Sequence, residues 1–428
     1  MKIAFHTLGC KVNTYETESI SKLFTDNGYV RVKDNEFADV YVINTCTVTN
    51  QASSKSRKSI RKLIKMNPEA IIAVMGCYSQ VSEEEIAVIE GVDIIIGTTH
   101  REHLYELVSR VKRDREKISE VKDVSRYREF DIVNVTNFTE NTRAFLKIQD
   151  GCNNFCTYCI IPFARGRVRS RKKDEVLNEA IELVKNGYQE IVLTGIHTGA
   201  YGVDLDNYSL YYLLKDLADI TELKRIRISS IEINELTDEI IDLIASNSKF
   251  ARHLHIPLQS GSDEILKKMH RKYTKEQFFS KINEIKQKVE NIAITTDIIV
   301  GFPSESDNNF REMYDFIAKC EFSELHVFPF SKRNGTKAAL IKDQINGITK
   351  TLRVNELLEL NDKLANKYRQ LQKKPLSIIF ETSDDEYTYG HTTNYLKVAV
   401  KKDVTLHNTL KSCLITKYGY PISYGVIA

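Results

Sequence analysis

Short apolar runs alternate with longer stretches of spaced apolar positions along the first hundred residues. Lys2-Ile3-Ala4-Phe5-His6, Asp39-Val40-Tyr41-Val42-Ile43-Asn44, Ala70-Ile71-Ile72-Ala73-Val74-Met75 and Val92-Asp93-Ile94-Ile95-Ile96 are brief, β-branched and almost continuous. Strands buried on both faces read this way, and the gaps between them are long enough for helices. The pattern predicts an open parallel α/β sheet. Residues 101–140 are charged, with a basic stretch at Lys112-Arg113-Asp114-Arg115, and read as a helix and a linker with edge structure. A second βα series runs from 143 to 345, with strands at 145–149, 190–193, 225–228, 253–256, 292–296 and 324–328. Between them lie helical patterns, such as 175–188, which places Val176, Leu177, Ala180, Ile181, Val184 and Tyr188 on one face. Six βα units are too few for a closed eight-stranded barrel. A partial barrel, open on one side, is expected, with site residues at the C-terminal strand ends. A polar helix over 349–373 follows. Pro375 then opens an all-β tail with strands at 376–380, 396–400 and 412–416, expected to form a small antiparallel β-barrel. The predicted class is α/β, with domains at 1–125, 138–348 and 375–428 and a helical connector at 349–374.

Composition changes this picture only through cysteine. Hydrophobic content of 42% and charged content of 28% are those of an ordinary globular protein. No apolar run nears the roughly 18 residues of a membrane span, and the polar N-terminus does not read as a signal peptide. A cytoplasmic location with no membrane partner is expected. A net charge of +3 says little about partners. Eight cysteines in such a chain point to metal or redox chemistry rather than disulfides.

Three of them, Cys152, Cys156 and Cys159, form a C-x3-C-x2-C run in Gly151-Cys152-Asn153-Asn154-Phe155-Cys156-Thr157-Tyr158-Cys159. An iron–sulfur cluster normally takes four cysteines, so three leave one iron open to a substrate. The alternative is structural zinc, which wants four ligands; the nearest downstream histidine is His197, too far for the usual spacing. Cys10, Cys46 and Cys77 each follow the C-terminal end of a predicted strand. Those ends share one sheet edge, so three thiols distant in sequence should converge there as a second set. Cys320 and Cys413 belong to neither set and are expected to be structural.

The Cys152 loop resembles the signature of the radical S-adenosylmethionine (SAM) enzymes, and the whole chain resembles their methylthiotransferases. The strings His6-Thr7-Leu8-Gly9-Cys10-Lys11-Val12-Asn13, Cys156-Thr157-Tyr158-Cys159-Ile160-Ile161-Pro162-Phe163-Ala164-Arg165-Gly166 and Leu193-Thr194-Gly195-Ile196-His197 resemble the branch acting on N6-threonylcarbamoyladenosine at tRNA position 37. The isopentenyladenosine branch usually reads F-G-C-Q-M-N at the first string, and the ribosomal-protein branch L-G-C-P-K-N. Gly390-His391-Thr392-Thr393-Asn394-Tyr395-Leu396-Lys397-Val398 resembles the family's RNA-binding TRAM domain. One departure is Pro303-Ser304-Glu305-Ser306, where the family more often has P-G-E-T.

The resemblance implies two [4Fe-4S] clusters, an auxiliary one on Cys10, Cys46 and Cys77 and a SAM-binding one on Cys152, Cys156 and Cys159. It implies SAM as cofactor, conversion of the modified adenosine to its 2-methylthio form, and the need for an electron donor and a sulfur source. No ordinary acid–base pair is expected, since a radical cofactor supplies the difficult step. Thr194, Gly195, Ser229, Ser230, Glu232, Gln259, Ser260, Gly261, Asp297, Ile299 and Gly301 lie at or after strand ends and are candidate SAM contacts. Candidate RNA contacts are Arg165, Arg167, Arg169 and Arg171, expected to alternate onto one face of an extended segment, and the run Lys55, Arg57, Lys58, Arg61, Lys62, Lys65. The tail carries five Lys, no Arg and five acids, so stacking on Tyr387, Tyr389 and Tyr395 would have to support RNA binding there. A zinc-bearing, non-catalytic RNA-binding protein would explain the basic runs and the tail, but not two cysteine sets on two βα series.

Overall fold

The computed structural model describes residues 1–131, 134–138 and 142–428; the rest of the charged linker lies outside the described residues. The first sheet contains β1 (Lys2–Thr7), β2 (Val30–Val32), β3 (Val40–Thr45), β4 (Ile71–Gly76), β5 (Ile94–Ile96) and β6 (Ile118–Glu120). All are parallel, in the order β2-β1-β3-β4-β5-β6. One face packs Ile3, Phe5, Val40, Val42 and Ile94 against Ile20 and Phe24 of the helix Lys11–Asp26 and Leu104 and Val108 of the helix Leu104–Asp114. The other packs Tyr41, Ile43, Ile72 and Val74 against Ile60 and Leu63 of the helix Asn50–Met66. Burial on both faces is what made the central strands continuous apolar runs. β6 is the edge structure expected in the charged stretch.

The second series supplies β7 (Ala144–Lys147), β8 (Gln149–Asp150), β9 (Arg169–Ser170), β10 (Glu190–Thr194), β11 (Arg225–Ile228), β12 (His253–His255), β13 (Ala293–Val300) and β14 (Glu324–Pro329). β7-β10-β11 and β12-β13-β14 are parallel sheets. Bridges between Ile226 and Phe250 and between Ser230 and His255 join them into one curved six-strand wall. Glu190, Arg225, Arg227, His253, His255, Thr295 and Asp297 pair with one another across its inner face. The wall is a half-closed barrel with a polar lumen. The helix Lys173–Lys185 corrects the expected face: Val176, Ala180 and Leu183 are buried, while Ile181 is 37% exposed. The stripe is turned because Glu179 is drawn inward by Arg171 and Tyr15.

After the helix Gly347–Gln370 come β15 (Leu376–Ser383), β16 (Tyr387–Thr392), β17 (Lys397–Lys401), β18 (Leu410–Lys417) and β19 (Ile422–Ile427), closed in the order β15-β16-β17-β19-β18. The barrel is not wholly antiparallel, since β17 and β19 run parallel. Ile378, Phe380, Val398, Val400, Cys413 and Ile415 fill it. It docks on the larger barrel through Arg225, which donates to the carbonyls of Ser377 (3.0 Å) and His391 (3.2 Å). No described helix is long and apolar enough to cross a membrane.

Candidate active site between two cysteine sets

Cys10 is the N-cap of the helix Lys11–Asp26, just beyond β1. Cys46 follows β3, and Cys77 opens the short helix after β4. Asn13, buried within the first motif, ties these ends together. Its Nδ2 donates to the carbonyls of Leu8 (2.8 Å) and Thr45 (3.1 Å), and its Oδ1 accepts from Cys10 Sγ at 3.6 Å. Gly9 must be glycine: at φ 117 an added Cβ would lie 2.9 Å from Asn13 Nδ2 and 3.2 Å from the Cβ of Cys46. Gly76, before Cys77, has φ 105, and a Cβ there would lie 2.6 Å from the Thr45 carbonyl oxygen. The three thiols are close enough for each to act electrostatically on the others. Burial pushes Cys77 up to about 12 and raises Cys46 as well.

The second set lies in the loop after β8. Phe155 takes φ 47 within it. Cys152 N donates to the Gly166 carbonyl at 3.0 Å, Thr157 N to Met269 at 3.1 Å, and Ala338 N to Thr157 at 2.8 Å. The loop is thus braced on three sides by the barrel. Burial pushes Cys159 up to about 12. Arg271 escaped the expectations from sequence, whereas His197 was named there as too far along the chain to be a ligand. Arg271 donates to Cys156 Sγ at 3.5 Å. His197 Nδ1 lies 3.7 Å from Cys152 Sγ, and burial of its ring is outweighed by Cys152 and Glu235, which lift it to about 10. His255, Asp297 and His326 bring their ligand atoms within 4.8 Å of one another.

The arginines after the loop correct the sequence reading. Arg165, Arg169 and Arg171 are 0%, 2% and 1% exposed. Arg165 donates to Cys77 Sγ (3.1 Å), Asn13 Oδ1 (3.0 Å) and Glu16 Oε2 (3.1 Å). Arg169 lies near Asp150, and Arg171 pairs with Glu179 at 2.8 Å. Alternation failed because Arg165 ends a short helix and Gly166, at φ 72, turns the chain before β9. Arg167 alone is exposed, over the Phe155 ring at 4.8 Å. Glu16 also meets Arg101 (3.0 Å) and Lys147 (2.8 Å), so one buried ionic seam joins the first sheet to the barrel. Burial opposes ionisation of Glu16, but Arg101, Arg165 and Lys147 outweigh it and bring it down to about 2.

The candidate SAM contacts fall in separate places. Gln259, Asp297 and Ile299, with Cys159, line a cavity of about 240 Å³ whose far wall includes Val48 and Thr49 of the first domain. Asp297 and Ile299 lie within β13 rather than after it, because that strand runs on to Val300. Gln259 takes φ 67, a conformation held by bonds to Asp297 and Ile299 and typical of a functional site. Glu232 sits in a second hollow beside Cys156, paired with Arg271. Ser229 meets Thr198 at 3.1 Å, Thr194 is buried, and Gly195 packs on Gln149. Gly301, at φ 70, ends the series. Ser230 bridges to β12, while Ser260 and Gly261 pack on Met313.

Of the candidate RNA-contacting residues elsewhere, Lys55, Lys58, Arg61, Lys62 and Lys65 are exposed on the helix Asn50–Met66, whereas Arg57 pairs with Glu85. Tyr395 is a correction. Its ring stacks on His253 (4.7 Å) and His391 (4.8 Å), with Arg227 also over it, so it belongs to the contact between barrel and tail and offers no free face to a base. Tyr387 and Tyr389 remain partly exposed beside Tyr424.

A model of the radical SAM superfamily matches residues 146–317, and one described as "Uncharacterized protein family UPF0004" matches 2–97. The chain is 48% identical to the threonylcarbamoyladenosine tRNA methylthiotransferase MtaB of Bacillus subtilis, over 99% of this chain and 95% of that one. It is 40% identical to the protein of the same name from Aquifex aeolicus, over 87% and 91%. It is 38% identical to the tRNA-2-methylthio-N(6)-dimethylallyladenosine synthase of Carboxydothermus hydrogenoformans, over 83% and 82%. In fold it is similar to the radical SAM methyltransferase TsrM of Kitasatospora setae, with a TM-score of 0.59 at 14% identity, covering 79% of this chain and 77% of that one. With two βα domains whose cysteine loops face a common cavity, and with these relatives along its whole length, the chain belongs to the radical SAM methylthiotransferases, in the company of the threonylcarbamoyladenosine tRNA enzymes.

Proposed function

We propose that the protein converts N6-threonylcarbamoyladenosine at position 37 of tRNA to its 2-methylthio derivative, with Cys152, Cys156 and Cys159 holding the SAM-binding [4Fe-4S] cluster and Cys10, Cys46 and Cys77 an auxiliary one. The observation that carries this reading is the cavity walled on one side by Cys159 and on the other by the segment after Cys46. The donor sets fit clusters better than single ions. Each set supplies three cysteine thiols, the ligand type that iron–sulfur clusters take, and leaves one iron position open. Cys46, Cys77 and Cys159, whose thiols burial raises, release their protons as metal binds, which couples cluster binding to deprotonation.

When bound, the SAM cluster supplies the electron that cleaves SAM to a carbon radical. The chain's own residues orient and enclose. Gln259, Asp297 and Ile299 line the space for SAM, Arg271 neutralises charge beside Cys156, and Arg165 does so beside Cys77. A sulfur source and an electron donor complete the reaction.

Anaerobic reconstitution tests the ligand assignment. Two four-iron clusters give about eight irons per chain, and changing Cys152, Cys156 and Cys159 together to Ala removes about half. Loss of all or none of the iron would refute the two-set assignment. With SAM, reductant and sulfide, the reconstituted enzyme should modify tRNA bearing threonylcarbamoyladenosine; product from dimethylallyl-bearing tRNA alone would overturn the substrate.

A further inference from the structure

Three neighbouring strands of the barrel wall bring ligating side chains to one point of the lumen. His255 ends β12, Asp297 lies within β13 and His326 within β14. Asp297 and His326 are direct partners in the β13–β14 register, and His255 pairs with Thr295, two residues before Asp297 on the same face. His255 Nε2 stands 3.2 Å from one oxygen of the Asp297 carboxylate, and His326 Nδ1 3.4 Å from the other. The two imidazoles stack with centroids 5.2 Å apart. One nitrogen from each ring and one carboxylate oxygen lie within 4.8 Å of one another. His255 is held from behind: its Nδ1 lies 2.8 Å from Thr295 Oγ1, so Nε2 is the atom left to face Asp297. The group is not sealed from the lumen. The His326 side chain is 46% exposed and that of Asp297 28%, and Asp297 also lines the cavity beside Cys159. A second trio, His100, Glu102 and His103, comes from one turn and has wider contacts of 3.7 and 3.8 Å.

We infer that His255, Asp297 and His326 form a binding site for a divalent transition-metal ion, separate from both cysteine sets, with open coordination positions toward the cavity. Two imidazoles and a carboxylate are the donor set of catalytic zinc and non-haem iron(II) sites, which keep further positions for water or substrate. Imidazole nitrogen argues against magnesium and calcium, which take oxygen ligands. Bonds of about 2.0–2.2 Å to each ligand place neighbouring ligand atoms roughly 3.0–3.5 Å apart, the spacing that Asp297 already keeps to both histidines. Thr295 supplies the partner that a ligating histidine takes on its other ring nitrogen. At the cavity wall the ion would receive an oxygen or sulfur donor from whatever occupies that space.

The test titrates the reconstituted protein, its cysteines occupied by iron, with Mn2+ and follows the free-ion signal by electron paramagnetic resonance. Zn2+ binding is measured in parallel by equilibrium dialysis. The wild type should bind about one Mn2+ per chain, and Zn2+ should displace it, since such sites hold zinc more tightly than manganese. Asp297→Asn and His326→Gln should each abolish binding. Thr295→Val should weaken it about ten- to a hundredfold, the usual cost of losing a partner behind a metal ligand. His103→Gln should leave it unchanged. Iron content and far-ultraviolet circular dichroism are read on each variant; should Asp297→Asn lose its iron or its fold, His326→Gln, at the more exposed ligand, decides. Binding of neither Mn2+ nor Zn2+ by the wild type would overturn the inference and leave the three side chains as a hydrogen-bonded group. Binding that survives His326→Gln would overturn it too, and loss in His103→Gln instead would move the ion to the turn at His100.

Discussion

Arg165 donates to a cysteine, an asparagine and a glutamate at once, a geometry suited to a planar guanidinium and not to an ammonium. Arg165→Lys should therefore weaken iron retention by the Cys10 set more than by the Cys152 set, as read by iron analysis in the triple-Ala background. Arg167 and Arg171 should separate cleanly. Arg167→Gln should flatten the salt dependence of tRNA affinity by about one unit of slope. Arg171→Gln strands Glu179 in the interior and should destabilise the fold by about 3–5 kcal/mol, visible in denaturant melts. A flattened slope in a well-folded Arg171→Gln variant would restore the extended-arginine reading. Spacing revealed the cysteines because a metal loop is local in sequence. It misjudged the arginines because depth is not local: the Glu16 that meets Arg165 is 149 residues away. Ser304 shows the reverse. The family's glycine there has a physical reason in this chain, since Ser304 is held at φ 66. Ser304→Gly should raise stability by about 1 kcal/mol, the order of the left-handed penalty, and a lowered denaturation midpoint would contradict it.

Elements were legible where burial was two-sided and hidden where it was not. The central strands β1, β3, β4 and β5 stand where their apolar runs placed them, and the six parallel barrel strands overlap the expected segments, with β13 running on to Val300. β2 escaped because it is a three-residue edge whose residues are half-exposed or exposed. β16 escaped because Tyr387, Tyr389 and His391 face outward between Thr388, Gly390 and Thr392, which leaves no apolar stripe to read. The parallel pairing of β17 with β19 is a matter of chain path and leaves no trace in either strand's pattern. Element position also decides the two remaining cysteines. Cys320 ends the helix Asp307–Cys320 and Cys413 lies inside the small barrel, each 1% exposed. Cys320→Ser and Cys413→Ser should leave iron per chain unchanged, and cluster loss in either stable variant would expose a misassigned ligand.

Across the whole molecule, buried carboxylates hold the domains against one another. Burial opposes ionisation of Glu190, but Arg227, Arg225 and Arg143 outweigh it and bring it from 4.5 to about 2. A depressed folded value means stability that is full above the unfolded value and lost as protons are taken up. The attachment of the tail to the barrel should therefore weaken as pH falls from about 4.5 toward 2, followed by near-ultraviolet circular dichroism. Glu190→Gln should start less stable and lose less over that interval; an unchanged acid profile would remove Glu190 from this role. The seam around Glu16 has its own consequence for how the chain is made. During synthesis the first sheet emerges before Lys147 and Arg165 exist, so Glu16 has to wait with Arg101 as its earliest counter-ion. Domains that emerge first fold first, and this one would carry a half-satisfied anion until the barrel arrives. A gene split at the linker would release two halves with opposite unmet charges, each better suited to recapturing the other than to standing alone.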